Sequence, residues 1–245
     1  MRLDSYLKEN NLAATRTRAK VLIEEGAVCV DGKTITKPAF DVADGADVRV
    51  TDIFRYVGRG GLKLEAALAA FPISCAGKVV LDVGASSGGF TDCALQNGAR
   101  QVYALDVGQG QLAEKLRTDP RVVCLENYNA RYLQAADFSP LPSFVTMDVS
   151  FISQTLILPA IAALLSAGDV LVSLIKPQFE AGKQAVRRGG IVRDEADRQA
   201  AIERVLTSAR ACGFLPGGVI VSPIQGGDGN VEYMAYFTKL ERNDE

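Results

Sequence analysis

A strand that runs directly into a glycine-rich turn constrains the fold of this chain more than any other feature. In segment 78–82 the apolar residues 79–81 lead into Asp82, which is the composition of a buried β-strand, and Gly84, Gly88 and Gly89 follow it. Glycines there let the backbone turn sharply into a helix and approach a ligand closely. The spacing D-x-G-x-x-x-G-G lacks the G-x-G-x-x-G of dinucleotide-binding turns. The segment therefore predicts a βα turn, which either binds a ligand of another class or only closes the connection.

From residue 62 onward, helical and strand patterns alternate, which is typical of a parallel α/β sheet. Parallel strands are predicted near 78–83, 101–106, 121–125, 143–149 and 169–175. The runs 218–221 and 231–237 are separated by a glycine-rich stretch too short for a helical crossover, so they should form an antiparallel pair at one sheet edge. The predicted fold class is α/β, with the seven-stranded, mostly parallel sheet of Rossmann-like methyltransferases.

Residues 1–50 have a different pattern. Apolar residues such as Leu3, Leu7 and Leu22 recur at helical spacing, and Asp31-Gly32 lies between alternating apolar residues, which is a strong hairpin signal. We therefore expect a small N-terminal α+β domain at 1–50. A linker at 51–61 and a larger domain at 62–245 complete the predicted organisation.

A second acidic residue strengthens the ligand-binding interpretation of the turn. Asp106 ends the next predicted strand, where a carboxylate can accept hydrogen bonds from both hydroxyls of a ribose. Together with Asp82 it predicts S-adenosylmethionine as the cofactor. The predicted cofactor-binding residues are Asp82, Gly84, Ala85, Ser86, Gly88, Gly89, Phe90, Asp106, Glu126, Asn127 and Asp148.

Four charged residues are the candidates for chemistry. Asp148 and Lys176 end neighbouring predicted strands, Lys63 lies in the first helix, and Glu232 is predicted within the last strand. The chain has no histidine, so proton transfer falls to Lys, Asp, Glu, Tyr or Cys. A lysine ending an apolar strand is costly to bury unless it is paired or neutral, so Lys176 is the hardest to explain structurally. Taken singly, Lys63 could be a surface residue, Asp148 a helix cap, and Glu232 a solvent-facing strand residue.

These motifs resemble a known family. Residues 62–240 resemble the FtsJ-like RNA ribose 2′-O-methyltransferases, whose Lys–Asp–Lys–Glu tetrad matches Lys63, Asp148, Lys176 and Glu232. Residues 1–50 resemble the S-four RNA-binding domain, and the pairing, with segments 59–64 and 82–91, is similar to the TlyA family, also labelled hemolysin A.

The resemblance implies cytidine 2′-O-methylation of ribosomal RNA. Lys176 would be the base for the 2′-hydroxyl or, alternatively, an electrostatic positioner. Asp148 would orient it, and Lys63 and Glu232 would position the ribose. The sequence 148–151, Asp-Val-Ser-Phe, differs from the [DN]-P-P-[YF] of amino-group methyltransferases, which favours oxygen as the acceptor.

Basic residues predict where RNA binds. Those of the first domain suit phosphate contacts, and those after Lys176 suit a basic flap over the substrate backbone, although a solvated polar surface is the alternative for each. The predicted RNA-binding residues are Arg2, Arg16, Arg18, Lys20, Lys33, Lys37, Arg59, Lys183, Arg187 and Arg188.

Composition limits the competing functions. The five cysteines are widely spaced without a C-x-x-C pair, so we expect a reducing cytoplasm and neither disulfides nor a metal site. No secretory signal or membrane-spanning run is visible, which disfavours a hemolysin and a membrane partner. If the protein were a non-enzymatic ribosome-assembly factor, we would expect some of the four tetrad residues to be replaced, and all four are present. If it were a nicotinamide oxidoreductase, we would expect the G-x-G-x-x-G spacing, which is missing. A small-molecule O-methyltransferase does not need the first domain. The expected partners are ribosomal RNA or ribosomal subunits.

Overall fold

The computed structural model describes residues 1–13, 15–24, 26–50, 55–182, 184–187, 189–226 and 229–241, with Arg18 and Val21 described by their backbone alone. The chain forms two compact units, Met1–Arg55 and Tyr56–Glu245. The second unit thus begins six residues before the predicted start at residue 62. Part of the predicted linker, 51–54, lies outside the described residues. The domain bounds proposed from sequence remain predictions.

The first unit combines two helices with a small antiparallel sheet, as predicted. Its elements are α1 (Leu3–Glu9), α2 (Arg16–Glu24), β1 (Val28–Val30), β2 (Lys33–Thr34) and β3 (Val48–Val50). The strand order is β2-β1-β3, and all pairs are antiparallel. Asp31 and Gly32 have φ values of 50° and 77°, the left-handed conformation that a two-residue hairpin turn requires. Leu3, Leu7 and Ile23 are fully buried in the core of this unit.

The second unit is a seven-stranded sheet flanked by helices. Its strands are β4 (Val79–Val83), β5 (Gln101–Leu105), β6 (Val122–Leu125), β7 (Phe144–Met147), β8 (Val170–Ile175), β9 (Phe214–Val221) and β10 (Tyr233–Lys239). Its helices are α3 (Gly60–Ala70), α4 (Gly89–Gln96), α5 (Glu114–Arg117), α6 (Leu158–Leu164), α7 (Pro177–Glu180) and α8 (Glu195–Ala211). The strand order is β6-β5-β4-β7-β8-β10-β9. β4 to β8 pair in parallel, and β10 is antiparallel to both β8 and β9, which confirms the predicted fold class.

The sheet is buried on both faces. Leu81 packs into the apolar cluster on one face, and its neighbour Val80 packs into the cluster on the other. Such double burial explains why these strands are continuous apolar runs rather than alternating ones. Within the described ranges, no helix is both long enough and apolar enough to cross a membrane.

The last two strands differ from the predicted bounds. β9 begins at Phe214, four residues earlier than predicted, because the Phe214 ring is buried against Phe237. β9 is the edge strand of the sheet and therefore tolerates Pro216. β10 begins at Tyr233, so Glu232 lies one residue before the strand rather than in it.

Candidate active site

The glycine-rich turn after β4 brings two strand ends into close contact. Gly84 has a φ of 83°, and a Cβ atom there would overlap the backbone carbonyl oxygen of Asp148, which follows β7. Gly88, which precedes α4, also has a left-handed φ, of 97°. Non-glycine residues rarely adopt this conformation, so both positions need glycine for the path of the backbone.

The Asp106 carboxylate is held at the end of β5 by two backbone donors. Its Oδ2 accepts from the amide of Ser86 at 2.8 Å, and its Oδ1 accepts from the amide of Gly108 at 2.7 Å. A carboxylate has about four acceptor positions, so two more hydrogen bonds remain available. Asp106 is therefore a fixed acceptor that suits a pair of ribose hydroxyls.

A cleft of about 400 Å³ lies along these strand ends. Its size is within the range of small-molecule sites. The described residues that line it are Val83, Gly84, Ser86, Leu105, Asp106, Val107, Gln111, Tyr128, Asn129, Ala130, Asp148, Val149, Ser150, Phe151, Ile152 and Ile157. Four of the predicted cofactor residues are among them: Gly84, Ser86, Asp106 and Asp148.

The other predicted cofactor residues lie elsewhere. Ala85 and Phe90 are buried, and Gly88 and Gly89 form the start of α4. Glu126 accepts hydrogen bonds from Arg117 Nη2 at 2.6 Å and from the Gly110 amide at 2.9 Å. Asn127 is in the left-handed conformation with a φ of 57°. Among the described residues, Tyr128 and Asn129 line the cleft in their place.

Asp82 lies beneath the cleft rather than in its wall. Its carboxylate accepts from the Thr91 hydroxyl at 2.7 Å and from the Thr146 hydroxyl at 2.9 Å. Burial raises the pKa of Asp82 to about 6, and the two hydroxyl donors oppose that rise. Asp82 therefore joins β4 to α4 and β7, and it supports the turn from below.

We expect the stability that Asp82 contributes to fall as the pH rises. Between about pH 4 and pH 6 the folded chain keeps the proton that the unfolded chain has lost, so deprotonation favours unfolding. The raised pKa corresponds to about 3 kcal/mol. Urea denaturation of wild type and Asp82→Asn at a series of pH values tests this. The free energy of unfolding of wild type, relative to the variant, should decline from pH 4 to pH 7, and a parallel pH dependence of the two proteins would contradict the assignment.

The sheet topology brings three of the four candidate catalytic residues to one edge. Tyr233 of β10 pairs with Ile175 of β8, so the residues next to them, Glu232 and Lys176, are opposite each other just beyond the paired strands. β7 is parallel to β8 on its other side, and Asp148 follows its last residue. Lys63 comes from the first turn of α3.

The four side chains form two ion pairs. Lys176 Nζ lies 2.5 Å from Asp148 Oδ1 and donates to Ser150 Oγ at 2.8 Å. Lys63 Nζ donates to Glu232 Oε2 at 2.6 Å, with Lys63 8% exposed and Glu232 2% exposed. Such burial excludes a surface role for Lys63 and a solvent-facing role for Glu232.

Asp148 is not a helix cap either. The short 3₁₀ helix that follows it begins after Ser153, whose hydroxyl accepts from the amide of Thr155. Asp148 instead borders the cleft on one side and the Lys176 ammonium on the other. Asp148 therefore connects the cleft to the Lys176 ammonium.

Sequence reasoning missed two residues of the loop after β7. Ser150 is a hydrogen-bond partner of Lys176. Phe151 is 93% exposed, has a left-handed φ of 64°, and lies 5.1 Å from the Phe179 ring between centroids. An exposed aromatic ring on a strained backbone suits stacking on a flat ligand. Both residues directly follow Asp148 and Val149 in the motif used above, and that adjacency was the available signal.

A buried acid holds this loop in place. Glu180 of α7 accepts from the Ser153 hydroxyl at 2.6 Å and from the Gln154 amide at 2.8 Å, and burial raises its pKa. The Gln154 side chain in turn donates to the Leu174 carbonyl and accepts from the Ser173 hydroxyl, both in β8. Hydrogen bonds thus connect the loop that carries Ser150 to β8, which precedes Lys176 in the chain, and to α7, which follows Lys176.

The predicted RNA-binding residues are only partly described. Lys183 and Arg188 lie outside the described residues, and so does the side chain of Arg18. Lys20, Lys33, Lys37 and Arg187 are exposed, and Arg59 is half-buried at the start of α3. Arg2 and Arg16 are held by a buried acid, Asp4. The segment that follows Arg187 is connected to the loop before Glu232, because the amide of Val192 donates to the Asn230 side chain at 3.0 Å.

Comparison with known proteins identifies the family. The FtsJ-like methyltransferase model matches residues 56–239, and the S4 domain model matches residues 1–48. The chain belongs to the FtsJ-like methyltransferase family. It is 45% identical to the 16S/23S rRNA (cytidine-2′-O)-methyltransferase TlyA of Mycobacterium tuberculosis over 98% of this chain and 91% of that protein. It is 44% identical to Hemolysin A of Brachyspira hyodysenteriae over 97% of this chain and 99% of that protein.

A solved structure agrees over the full length. A Streptococcus thermophilus protein that carries a hemolysin name is 46% identical and superposes with a TM-score of 0.79, covering 100% of this chain and 90% of that one. The relatives carry two kinds of name, methyltransferase and hemolysin. The family model covers the whole sheet and all four tetrad residues, so the methyltransferase fold extends over the second unit.

Proposed function

We propose that this protein transfers a methyl group from S-adenosylmethionine to the ribose 2′-hydroxyl of a cytidine in ribosomal RNA. The observation that carries the proposal is the place of Asp148, which lines the cleft and pairs with Lys176 at 2.5 Å. A donor in the cleft and a proton acceptor at its edge are what hydroxyl methylation requires.

The cleft suits S-adenosylmethionine. The Asp106 carboxylate would bind the ribose hydroxyls, and the backbone at Gly84 leaves room where any side chain would collide with the Asp148 carbonyl. Gln111, Tyr128 and Asn129 also line the cleft and would contact the rest of the cofactor. When bound, the cofactor supplies an electrophilic methyl group on a sulfonium sulfur, and its S–C bond breaks as the C–O bond to the acceptor forms.

Lys176 would accept the proton that the acceptor hydroxyl loses. An alcohol must lose its proton as it attacks a methyl group, and the neutral amine of Lys176 would take that proton at Nζ. Asp148 and Ser150 then hold the resulting ammonium, as they do in the structure. Asp148 would therefore act at two stages. It would orient the Lys176 amine before methyl transfer and stabilise the Lys176 ammonium afterwards.

The Lys63–Glu232 pair would position the ribose. Glu232 lies opposite Lys176 across the β8–β10 ladder, and Lys63 is bonded to it at 2.6 Å. Glu232 still has acceptor capacity for a ribose hydroxyl while it holds Lys63. The exposed Phe151 ring would stack on the base of the target nucleotide.

Ribosomal RNA is the acceptor class that relatives favour. Two observations support it here: the S4 domain match at residues 1–48 and the rRNA methyltransferase name of a relative that covers nearly the whole chain. We therefore propose ribosomal subunits as partners and the cytoplasm as the site of action. The exposed Lys20, Lys33 and Lys37 would contact the RNA backbone.

The test is transfer of radiolabelled methyl groups to isolated small subunits, large subunits and protein-free rRNA from cells lacking this gene. We expect label in at least one of them, located by nuclease digestion at the 2′-oxygen of a cytidine. A folded protein that binds S-adenosylmethionine but labels none of the three would overturn the proposal. Label on a base rather than on a ribose would overturn the hydroxyl chemistry alone.

A further inference from the structure

A second pocket lies beside the cofactor cleft, between the loop after β7 and helix α7. Its volume is about 460 Å³, which is within the range of small-molecule sites. Its described walls are mainly apolar and include the rings of Phe151 and Phe179, and Ser153 and Gln178 contribute the polar side chains. Phe151 and Ile152 also line the cleft, so the two cavities share a wall.

The pocket is also next to the tetrad. Gln178 follows Lys176 by two residues along the chain. Ser150, which accepts from Lys176 Nζ at 2.8 Å, directly precedes Phe151. A nucleotide whose 2′-hydroxyl lies at Lys176 would therefore have its base beside this pocket.

Gln178 carries a buried acceptor without a partner. None of the described residues donates a hydrogen bond to its Oε1. The hydroxyl of Ser153, the other polar side chain of the pocket, is already engaged, because it donates to Glu180 Oε2 at 2.6 Å. Buried acceptors are seldom left unpaired in folded proteins, since nothing then replaces the water they have lost. Gln178 is half-buried and lines the pocket, so a ligand that brings an N–H group there would satisfy its acceptor.

The chemistry of the pocket suits a nucleobase. The Phe151 and Phe179 rings are 5.1 Å apart between centroids, and Phe151 is exposed, so the pocket offers an aromatic surface for stacking. The bases differ in what they present at the ring edge. Cytosine carries an exocyclic amine where uracil carries a carbonyl oxygen. An acceptor at Gln178 pairs with the amine and repels the carbonyl, which favours cytosine over uracil.

We propose that this pocket binds the base of the acceptor nucleotide and that Gln178 Oε1 accepts a hydrogen bond from the 4-amino group of cytosine. The inference rests on the proposed RNA methyltransferase function and adds the residue that selects the base. The wall is ordered before the base arrives, because Glu180 holds Ser153 and also accepts from the Gln154 amide at 2.8 Å. One such contact discriminates between bases by about 10–100-fold, and we expect wild type to prefer cytidine over uridine by this factor.

Two substitutions of Gln178 test the hydrogen bond. The substrates are rRNA transcripts of the full chain's acceptor that carry either cytidine or uridine at the modified position, which the nuclease digestion above locates. Gln178→Met keeps the length of the side chain and removes the amide, so transfer to cytidine should slow, transfer to uridine should change little, and the ratio of the two rates should fall toward one. Gln178→Glu keeps an acceptor at the same place and should keep the preference for cytidine.

The control is Gln199→Met, which changes an exposed glutamine of α8 and should keep the wild-type ratio. Circular dichroism and the melting temperature would show that each variant is folded. A folded Gln178→Met protein with the wild-type ratio would overturn the proposal, and so would a wild-type protein that does not prefer cytidine. Loss of the preference in Gln178→Glu as well as in Gln178→Met would overturn the role of Oε1 as acceptor.

A binding measurement separates this proposal from the function. In the nuclear magnetic resonance spectrum of the isotope-labelled full chain, the side-chain amide signal of Gln178 is assigned by its absence in the two variants. Cytidine 5′-monophosphate should shift this signal, and uridine 5′-monophosphate at the same concentration should shift it much less. Equal shifts with both nucleotides, or no shift with either, would overturn the base pocket.

The two proposals can fail independently. If cytidine 5′-monophosphate shifts the Gln178 signal selectively but the protein methylates no RNA, the proposed function fails and the base pocket stands. If the protein methylates rRNA and the Gln178 variants keep the wild-type ratio, only the base pocket fails.

Discussion

Lys176→Ala is expected to lower the rate of methyl transfer by about 10²–10⁴-fold, the range that a positioned general base contributes. The variant should bind S-adenosylmethionine nearly as wild type does, since Lys176 is not among the described residues that line the cleft. Its loss would leave Asp148 with no cation at 2.5 Å. The Asp148 side chain as a whole is 20% exposed, although its Oδ1 is buried, so we expect the variant to fold with reduced stability, which its melting temperature would measure.

Lys176→Arg distinguishes a base from an electrostatic positioner. An arginine keeps the positive charge beside Asp148, but its guanidinium cannot accept a proton in a protein. If Lys176 takes the proton of the 2′-hydroxyl, the arginine variant should be as inactive as the alanine variant. If Lys176 only holds Asp148 and the substrate, the arginine variant should retain much of the activity.

Single-turnover transfer of labelled methyl to saturating rRNA, with cofactor affinity measured by calorimetry, provides both quantities. Lys78→Ala is the matched control, because Lys78 precedes β4 and its ammonium lies 5.7 Å from the Phe144 ring, at the opposite end of the strands. That control should transfer methyl at nearly the wild-type rate. A Lys176→Ala protein that turns over within tenfold of wild type would refute the role of Lys176 as the base.

The sheet was predictable because its strands are buried on both faces. A doubly buried strand such as β8 is an almost continuous apolar run, which the sequence pattern displays directly. The bounds of β9 were not predictable, because its start depends on the Phe214–Phe237 contact between segments far apart in sequence. Local pattern therefore identified the strands, and tertiary packing set their ends.

In the candidate site, too, some features follow from local sequence pattern and others depend on tertiary packing. Parallel strands end at one edge of a sheet, so the positions of Asp148 and Lys176 followed from the order of elements. Which side chains face the cleft depends on backbone direction and on pairing that sequence does not display. For example, Glu126 pairs with Arg117 and is not among the described residues that line the cleft, whereas Phe151, which has a left-handed φ, lines it.

Removing only one partner of the Lys63–Glu232 ion pair should be the most destabilising substitution near the site. In Glu232→Gln, the Lys63 ammonium loses the carboxylate that it is bonded to, and it is buried, since Lys63 is only 8% exposed in the wild-type structure. Removing one partner of a buried pair costs about 3–5 kcal/mol, since the remaining charge is neither hydrated nor neutralised. Urea denaturation of the full chain should show this loss, and methyl transfer should fall as well.

The double variant Lys63→Met/Glu232→Leu separates stability from chemistry. It replaces both charges with apolar side chains of similar size, and such replacements are often neutral or stabilising. We expect its free energy of unfolding to return close to that of wild type while methyl transfer stays low, because no acceptor remains for the ribose. Recovery of both properties would mean that the pair serves the fold alone. Recovery of stability without activity would mean that the protein keeps a buried charge pair that adds no net stability because the reaction needs it.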